Sequence, residues 1–522
     1  MVPTAPPAAK GLPCHNAPVT EDSPPAERLD PKVFIIAIAV LAAFSLTMVL
    51  FPDGSRLRAN AALSWLTNRL GWFYLMAGMA PLVMASWLAF GRYGDVLLGP
   101  AGEPPEYSTR SWIAMMFTAS MGAGLIAWGF AEPIFYIETP PFGIEPHSDL
   151  AYEFAHMYPI YHWGIVPWAI YCLPAIPIAY MLFVENRKSL KISDACDHVL
   201  PERGRSVYRT VIDIFVVLGV VGGVATSLGF GVPLSASLAS QLLGVPDNFI
   251  TQGVVILIMT AVFGTSAYRG LKRGIKILAD LNLWLMYFVM AFVLLLGPTI
   301  YTLSMSMNSV GLMLDNFFRI SFWTDPVSKS GFPEAWTVFY WAWWLAYAPM
   351  MGLFFGRISK GRTIRQVVLG IIGFGALGTF LFLGIAGALV LHLQSSGQLD
   401  AVTIISEQGM GPLVAQVIAE LPFKGLILSV VAVLSIIFYA TTFDSAAYVL
   451  ASICTHDLAP NREPAAGVRL TWALGLGVTA VGLMMVDAMD TVKSMSVVSS
   501  LPVIPILVLM CFGLYRSLRD RH

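Results

Sequence analysis

The stretch FYWAWWLAY, Phe339 to Tyr347, packs six large aromatic side chains, three of them tryptophans, into nine residues of an apolar segment. An aromatic face attracts a cation through its ring quadrupole and needs no hydrogen bond to do so. A set of such faces with no carboxylate beside them therefore suits a cation that has no N–H to donate, of the quaternary ammonium type. A second set, in HWGIVPWAIY, supplies Trp163, Tyr171 and, about a quarter-turn round, Trp168. At helical spacing Tyr340, Trp343 or Trp344, Tyr347 and Met351 share one face. Two such columns either line one cavity or pack helix against helix, and the residues alone leave both readings open.

The elements that carry these rings follow from composition. Charged residues make up 12% of the 522 and hydrophobic ones 57%, against roughly 25% charged in a soluble domain. Such a chain has too little polar surface for water and reads as an all-α integral membrane protein, with the lipid bilayer as its surroundings. A net charge of -1 and the lack of a basic, aromatic-interleaved patch argue against nucleic-acid partners. The five cysteines show no CxxC and suggest neither a disulfide framework nor a zinc site.

Crossing the hydrocarbon takes about 20 apolar residues. Twelve stretches qualify, near 33–51, 71–91, 111–137, 157–184, 207–236, 249–268, 277–305, 334–356, 366–394, 424–454, 468–486 and 499–515. The transmembrane domain thus covers 33–515. Residues 1–32, rich in proline, read as a disordered tail, and 516–522 as a short one. The basic loops follow spans four, six and eight, so the positive-inside rule puts them and both termini in the cytoplasm, with the acidic loop 138–153 outside. Amphipathic stretches near 55–69 and 308–322 are expected in the interface plane.

Depth separates the tryptophans. With span eight starting near Glu334 and rising about 1.5 Å per residue, Trp343 and Trp344 lie roughly 14 Å in, too deep for an interfacial belt, whereas Trp336 fits one. Small or helix-breaking clusters interrupt spans three and eight, at SMGAG (Ser120 to Gly124) and APMMG (Ala348 to Gly352). Where a matching helix is interrupted in each half of an inverted repeat, unwound carbonyls hold cations; glycine there also serves close packing. Within the spans Glu132, before Pro133, reads as satisfying backbone freed by that proline. Thr441 and Thr442, near Asp444 in span ten, either bond back to helix carbonyls or offer two hydroxyl oxygens to a cation. A membrane enzyme would need a metal or nucleophile cluster and a channel a ring of carbonyls or charges; neither explains two deep aromatic columns. The chain reads as a non-enzyme without a catalytic or resident metal site.

FYWAWWLAYAPMMGLFFGRISKGRTIR, with HWGIVPWAIY and WGFAEPIFY, resembles the betaine/choline/carnitine transporter family from span one to span twelve. The resemblance implies a LeuT-like five-plus-five inverted repeat, about 111–305 and 334–515, preceded by two extra helices. It also implies a homotrimer in the bacterial inner (plasma) membrane that carries betaine, carnitine, choline or a related small quaternary-ammonium compound by alternating access. It places Phe135, Trp163, Trp168, Tyr171, Trp343, Trp344 and Tyr347 in a central box, with Trp336 and Tyr340 in an outer vestibule. Ser120, Met121 and Gly122 with Thr441 and Thr442 match the sodium-coupled members. Met351 and Lys276 match the positions where the carnitine/γ-butyrobetaine antiporter replaces sodium, and the sequence leading into span eight looks most similar to that branch. The expected coupling is Na+ symport or, alternatively, sodium-independent exchange, with no other cofactor.

Overall fold

The computed structural model describes residues 28–120, 122–187, 189–269, 272–456, 458, 462–486 and 489–521, with the backbone alone for 120, 123, 266–269 and 272–279. Apart from one two-residue strand pair, its regular structure is helical. In chain order the helices are α1 (Pro31–Leu50), α2 (Pro52–Phe90), α3 (Thr109–Ser120), α4 (Ala123–Glu138), α5 (Asp149–His162), α6 (Ile165–Phe183) and α7 (Arg205–Leu243). There follow α8 (Phe249–Arg269), α9 (Lys272–Leu296), α10 (Thr299–Phe322), α11 (Phe332–Ala335), α12 (Thr337–Arg357) and α13 (Ile364–Ser395). The last are α14 (Ala401–Glu407), α15 (Met410–Ala419), α16 (Lys424–Ile453), α17 (Ala466–Val486), α18 (Met489–Ser500) and α19 (Val503–Arg521). Among the described residues nine helical stretches are long and apolar enough to cross a bilayer, eleven if each sharply bent pair is one crossing. The apolar part of α8, Phe249–Thr265, is shorter.

Several expected boundaries move. Residues 55–69 do not form a separate interfacial helix, because they contain no proline or glycine and α2 runs on through 39 residues, with Pro81 inside it. The span expected at 277–305 ends instead at Leu296. There Gly297 donates to the Val293 carbonyl and Pro298 brings no N–H, and the chain turns by 106° into α10, which absorbs 308–322. At the ends, residues expected in the tails lie in regular elements: Arg28–Leu29 pair with Thr455–His456, and α19 continues to Arg521, while 1–27 and 522 lie outside the described residues.

The two ends of the described residues lie on one face. Asp30 caps α1 by accepting from the Val33 N–H (3.3 Å) and takes an ion pair from Lys191 (2.5 Å), which also reaches Asp213 (3.3 Å). The Asp30 N–H donates to the Cys454 carbonyl at 2.7 Å. At the other end Arg516 donates to the His198 carbonyl and Ser517 to Glu185. Asp30 on one side and Arg516 and Ser517 on the other thus hold the loop after α6, one of the basic loops. Burial alone would raise the Asp30 carboxyl, but the hydrogen bond and charge of Lys191 outweigh it and hold Asp30 below its ordinary 3.8.

What positions the aromatic columns is the seam between α6 and α12. Pro349 sits inside α12 without breaking it, so the interruption expected at APMMG is absent and the helix is continuous from Thr337 to Arg357. Gly352 has the packing role: a Cβ there would overlap Pro174 of α6. Its bareness lets the two backbones close on each other and sets the tryptophans of both helices face to edge. SMGAG, in contrast, is a true interruption, with α3 and α4 meeting at 52° around Gly122.

Candidate functional site

A cavity of about 1150 Å³ lies between α3, α4, α6, α7, α9, α12 and α16. One end is walled by Trp163, Trp168, Tyr171, Trp343, Trp344 and Tyr347, and the other reaches Asn186, Arg357, Lys360 and Arg462 on the face of the basic loops.

The rings form a connected set. Trp163 lies 5.8 Å from Trp343 and 5.5 Å from Trp344, both near perpendicular. Trp344 lies 5.7 Å from Trp168 and 4.9 Å from Tyr171. Backbone bonds fix their poses: Trp168 Nε1 donates to the Trp163 carbonyl (3.1 Å) and Trp343 Nε1 to the Gly223 carbonyl (3.1 Å). Tyr347 and Ser227 share a hydroxyl bond of 2.7 Å. A Cβ at Gly375 of α13 would overlap the Trp168 ring, so that glycine seats the indole. Among the described residues several buried indole N–H groups lack a partner; of these, that of Trp344 is the one on the cavity wall.

Phe135 is not part of this set. It packs on Trp336 at 5.2 Å, away from the cavity. Trp336 and Tyr340, expected in an outer vestibule, also lie off the cavity, buried in a plug with Trp128 and Phe339. The cavity therefore reaches the face of the basic loops, while aromatic packing fills the opposite route.

Glu132, fully buried behind the box, does something other than the expected service to Pro133. Its carboxylate accepts from Tyr136 (2.5 Å), His162 Nδ1 (2.9 Å), Trp163 Nε1 (3.1 Å) and Tyr340 (2.8 Å). His162 Nε2 faces the Thr337 hydroxyl at 3.1 Å. Four donors from three helices converge on one carboxylate, which compensates its burial and ties the box to the plug. His162 had a sequence signal, adjacency to Trp163, but nothing local pairs it with Glu132.

Of the coupling candidates, Gly122, Met351, Thr441 and Thr442 line the cavity. The Thr441 hydroxyl bonds back to the Ile437 and Phe438 carbonyls, both at 3.0 Å, and accepts from Asn282 Nδ2 at 3.4 Å. Asn282, missed in the sequence although an amide in an apolar span is conspicuous, lines the cavity too, and its Oδ1 is buried without a partner among the described residues. Met121 and the side chains of Ser120 and Lys276 lie outside the described residues.

The family model described as "BCCT, betaine/carnitine/choline family transporter" matches residues 32–522. This chain belongs to the BCCT family. It is 32% identical over 495 residues to the glycine betaine transporter of Acinetobacter baylyi, covering 94% of this chain and 74% of that protein. It is 33% identical over 491 residues to the glycine betaine transporter OpuD of Bacillus subtilis, covering 93% and 94%. Both relatives are named for glycine betaine, and the expected likeness to the carnitine branch gains no support from them. As a BCCT member the chain is a multi-pass membrane transporter of the betaine type and not an enzyme.

Proposed function

We propose that this BCCT protein carries glycine betaine or a close trimethylammonium zwitterion by alternating access, with the Trp163, Trp168, Tyr171, Trp343, Trp344 and Tyr347 box as its substrate site. The observation that carries this is the wall of indoles at the deep end of the cavity, with Trp163 near perpendicular to Trp343 and Trp344. Ring faces hold a trimethylammonium head without hydrogen bonds, and the unpaired Trp344 N–H is a donor for the carboxylate of a zwitterion. The cavity's reach toward the basic loops, against a plugged opposite route, fits the inward-facing state of such a cycle. The twelve-span, five-plus-five repeat, the homotrimer, the bacterial inner membrane and cytoplasmic termini belong to the same reading.

Coupling is read as sodium symport, supported by the broken helix at Gly122, the Thr441 and Thr442 hydroxyls and the unpartnered Asn282 Oδ1, an oxygen of the kind sodium prefers. Sodium-independent exchange is the second reading, supported by Met351, whose thioether lines the same cavity and is a poor sodium ligand. Uptake of labelled glycine betaine, carnitine and choline into proteoliposomes tests both. Betaine uptake that needs a sodium gradient, with Thr441→Ala raising the sodium concentration required, supports symport. Uptake in potassium-only buffer that depends on substrate loaded inside supports exchange, and no uptake of any of the three refutes the function.

A further inference from the structure

Lys493 on α18 is an ionisable residue that neither the cavity nor the Glu132 network uses, and it is only 4% exposed. Its ammonium stands 3.9 Å from the ring centroid of Trp336 and 5.2 Å from that of Phe339, and donates to the Ala335 carbonyl at 3.2 Å. A primary ammonium with three N–H groups is thus held by two ring faces and one carbonyl, the kind of surroundings that suit a trimethylammonium head better than an ammonium. Phe339 in turn stacks on Trp343 at 5.5 Å with an interplanar angle of 21°, and Trp343 walls the cavity. An unbroken file of rings therefore joins the caged ammonium to the cavity along the plugged end of α12.

We propose that Lys493 is a specificity-determining residue: a built-in cation that an entering substrate displaces from Trp336 and Phe339, and that then pairs with the substrate's carboxylate, so that zwitterions are selected over plain cations. The inference rests on the quaternary-ammonium reading of the cavity. A zwitterion such as glycine betaine satisfies both halves of the exchange, its head taking the ring faces and its carboxylate the released ammonium. A plain cation such as choline takes the ring faces but brings Lys493 no anion beyond the Asp490 and Glu132 carboxylates already acting on it, and sets a like charge beside it in a low-dielectric plug. Discrimination then comes from repelling the competitor as much as from attracting the substrate.

Equilibrium binding of radiolabelled glycine betaine and choline to the purified full chain tests this. Wild type should bind betaine at least about tenfold tighter than choline, and Lys493→Gln should narrow that ratio by at least about tenfold, mainly through tighter choline binding, while Lys493→Arg keeps it. Lys493→Met, an apolar side chain of similar length, replaces the glutamine variant if that one does not fold. An unchanged ratio in a folded Gln or Met variant, or a wild type that binds choline as well as betaine, overturns the inference and leaves the transport function standing. A wild type that binds neither compound refutes the function itself and the inference with it.

Discussion

Gly124 leaves open the space that Trp163 fills: a Cβ at Gly124 would stand 3.0 Å from the Trp163 ring and 3.4 Å from that of Trp343. The first residues after the break in the α3–α4 span thus meet the box directly, and the shape of the break sets how the indoles lie.

Gly124→Val should therefore displace both rings and weaken glycine betaine binding by at least about tenfold, while Trp344→Ala should cost about 2 kcal/mol through loss of a ring face. Isothermal titration on protein whose thermal unfolding matches wild type is the measurement. Wild-type affinity in the valine variant would mean that the box does not hold the substrate.

Glu132→Gln replaces one carboxyl oxygen of this network by an amide N–H₂ that faces donors. Leaving a buried hydrogen-bond donor without its acceptor costs about 1–3 kcal/mol, so the melting temperature in detergent should fall clearly. With the amide N–H₂ in the place of Oε2, Trp163 Nε1 and Tyr340 lose their acceptor and betaine affinity should fall as well. An unaltered melting curve would contradict the role given to this carboxylate.

Accessibility checks orientation. A single cysteine in the loop 138–153 should react with an impermeant maleimide on intact cells, and one at 357–365 should react only after permeabilisation. Labelling in the opposite sense reverses the cytoplasmic assignment of the cavity mouth.

The Asp30–Lys191 pair predicts a pH response at the N-terminal clamp. Asp30 has a folded value below its unfolded 3.8, so its contribution is complete above that value and is lost as the pH falls through the lower folded one. The hydrogen-exchange protection factors at residues 28–34, with the intrinsic pH dependence of amide exchange divided out, should stay flat from neutral pH down to about pH 5. Lys191→Met leaves Asp30 and Asp213 without their shared cation and should raise exchange there at least about tenfold at neutral pH. Clamp protection that survives this substitution would assign the docking to the strand pair alone.

The sequence by itself determined the class of the molecule, the approximate positions of most of its apolar helices, though not the start of α2 or the end of α9, and both aromatic columns. These depend on composition and on a helical period that needs no long-range partner. Local chemistry was enough at SMGAG, where glycines on both sides of Ala123 interrupt the helix, but it misled at APMMG: proline bends or breaks a helix only when its neighbours allow, and Gly352 packed against Pro174 keeps α12 whole. Tertiary structure alone decided which rings face one cavity. Phe135 shares a helix with Gly124 yet packs on Trp336, because α4 turns that side toward the plug. Tertiary structure also joined Glu132 to His162 and Tyr340, Asn282 to Thr441, and Lys493 to Trp336, pairs 30 to 208 residues apart in the chain for the first two contacts and 159 for the third. Buried polar groups must find partners wherever the packing of helices brings them, and no periodicity in the sequence records where that is.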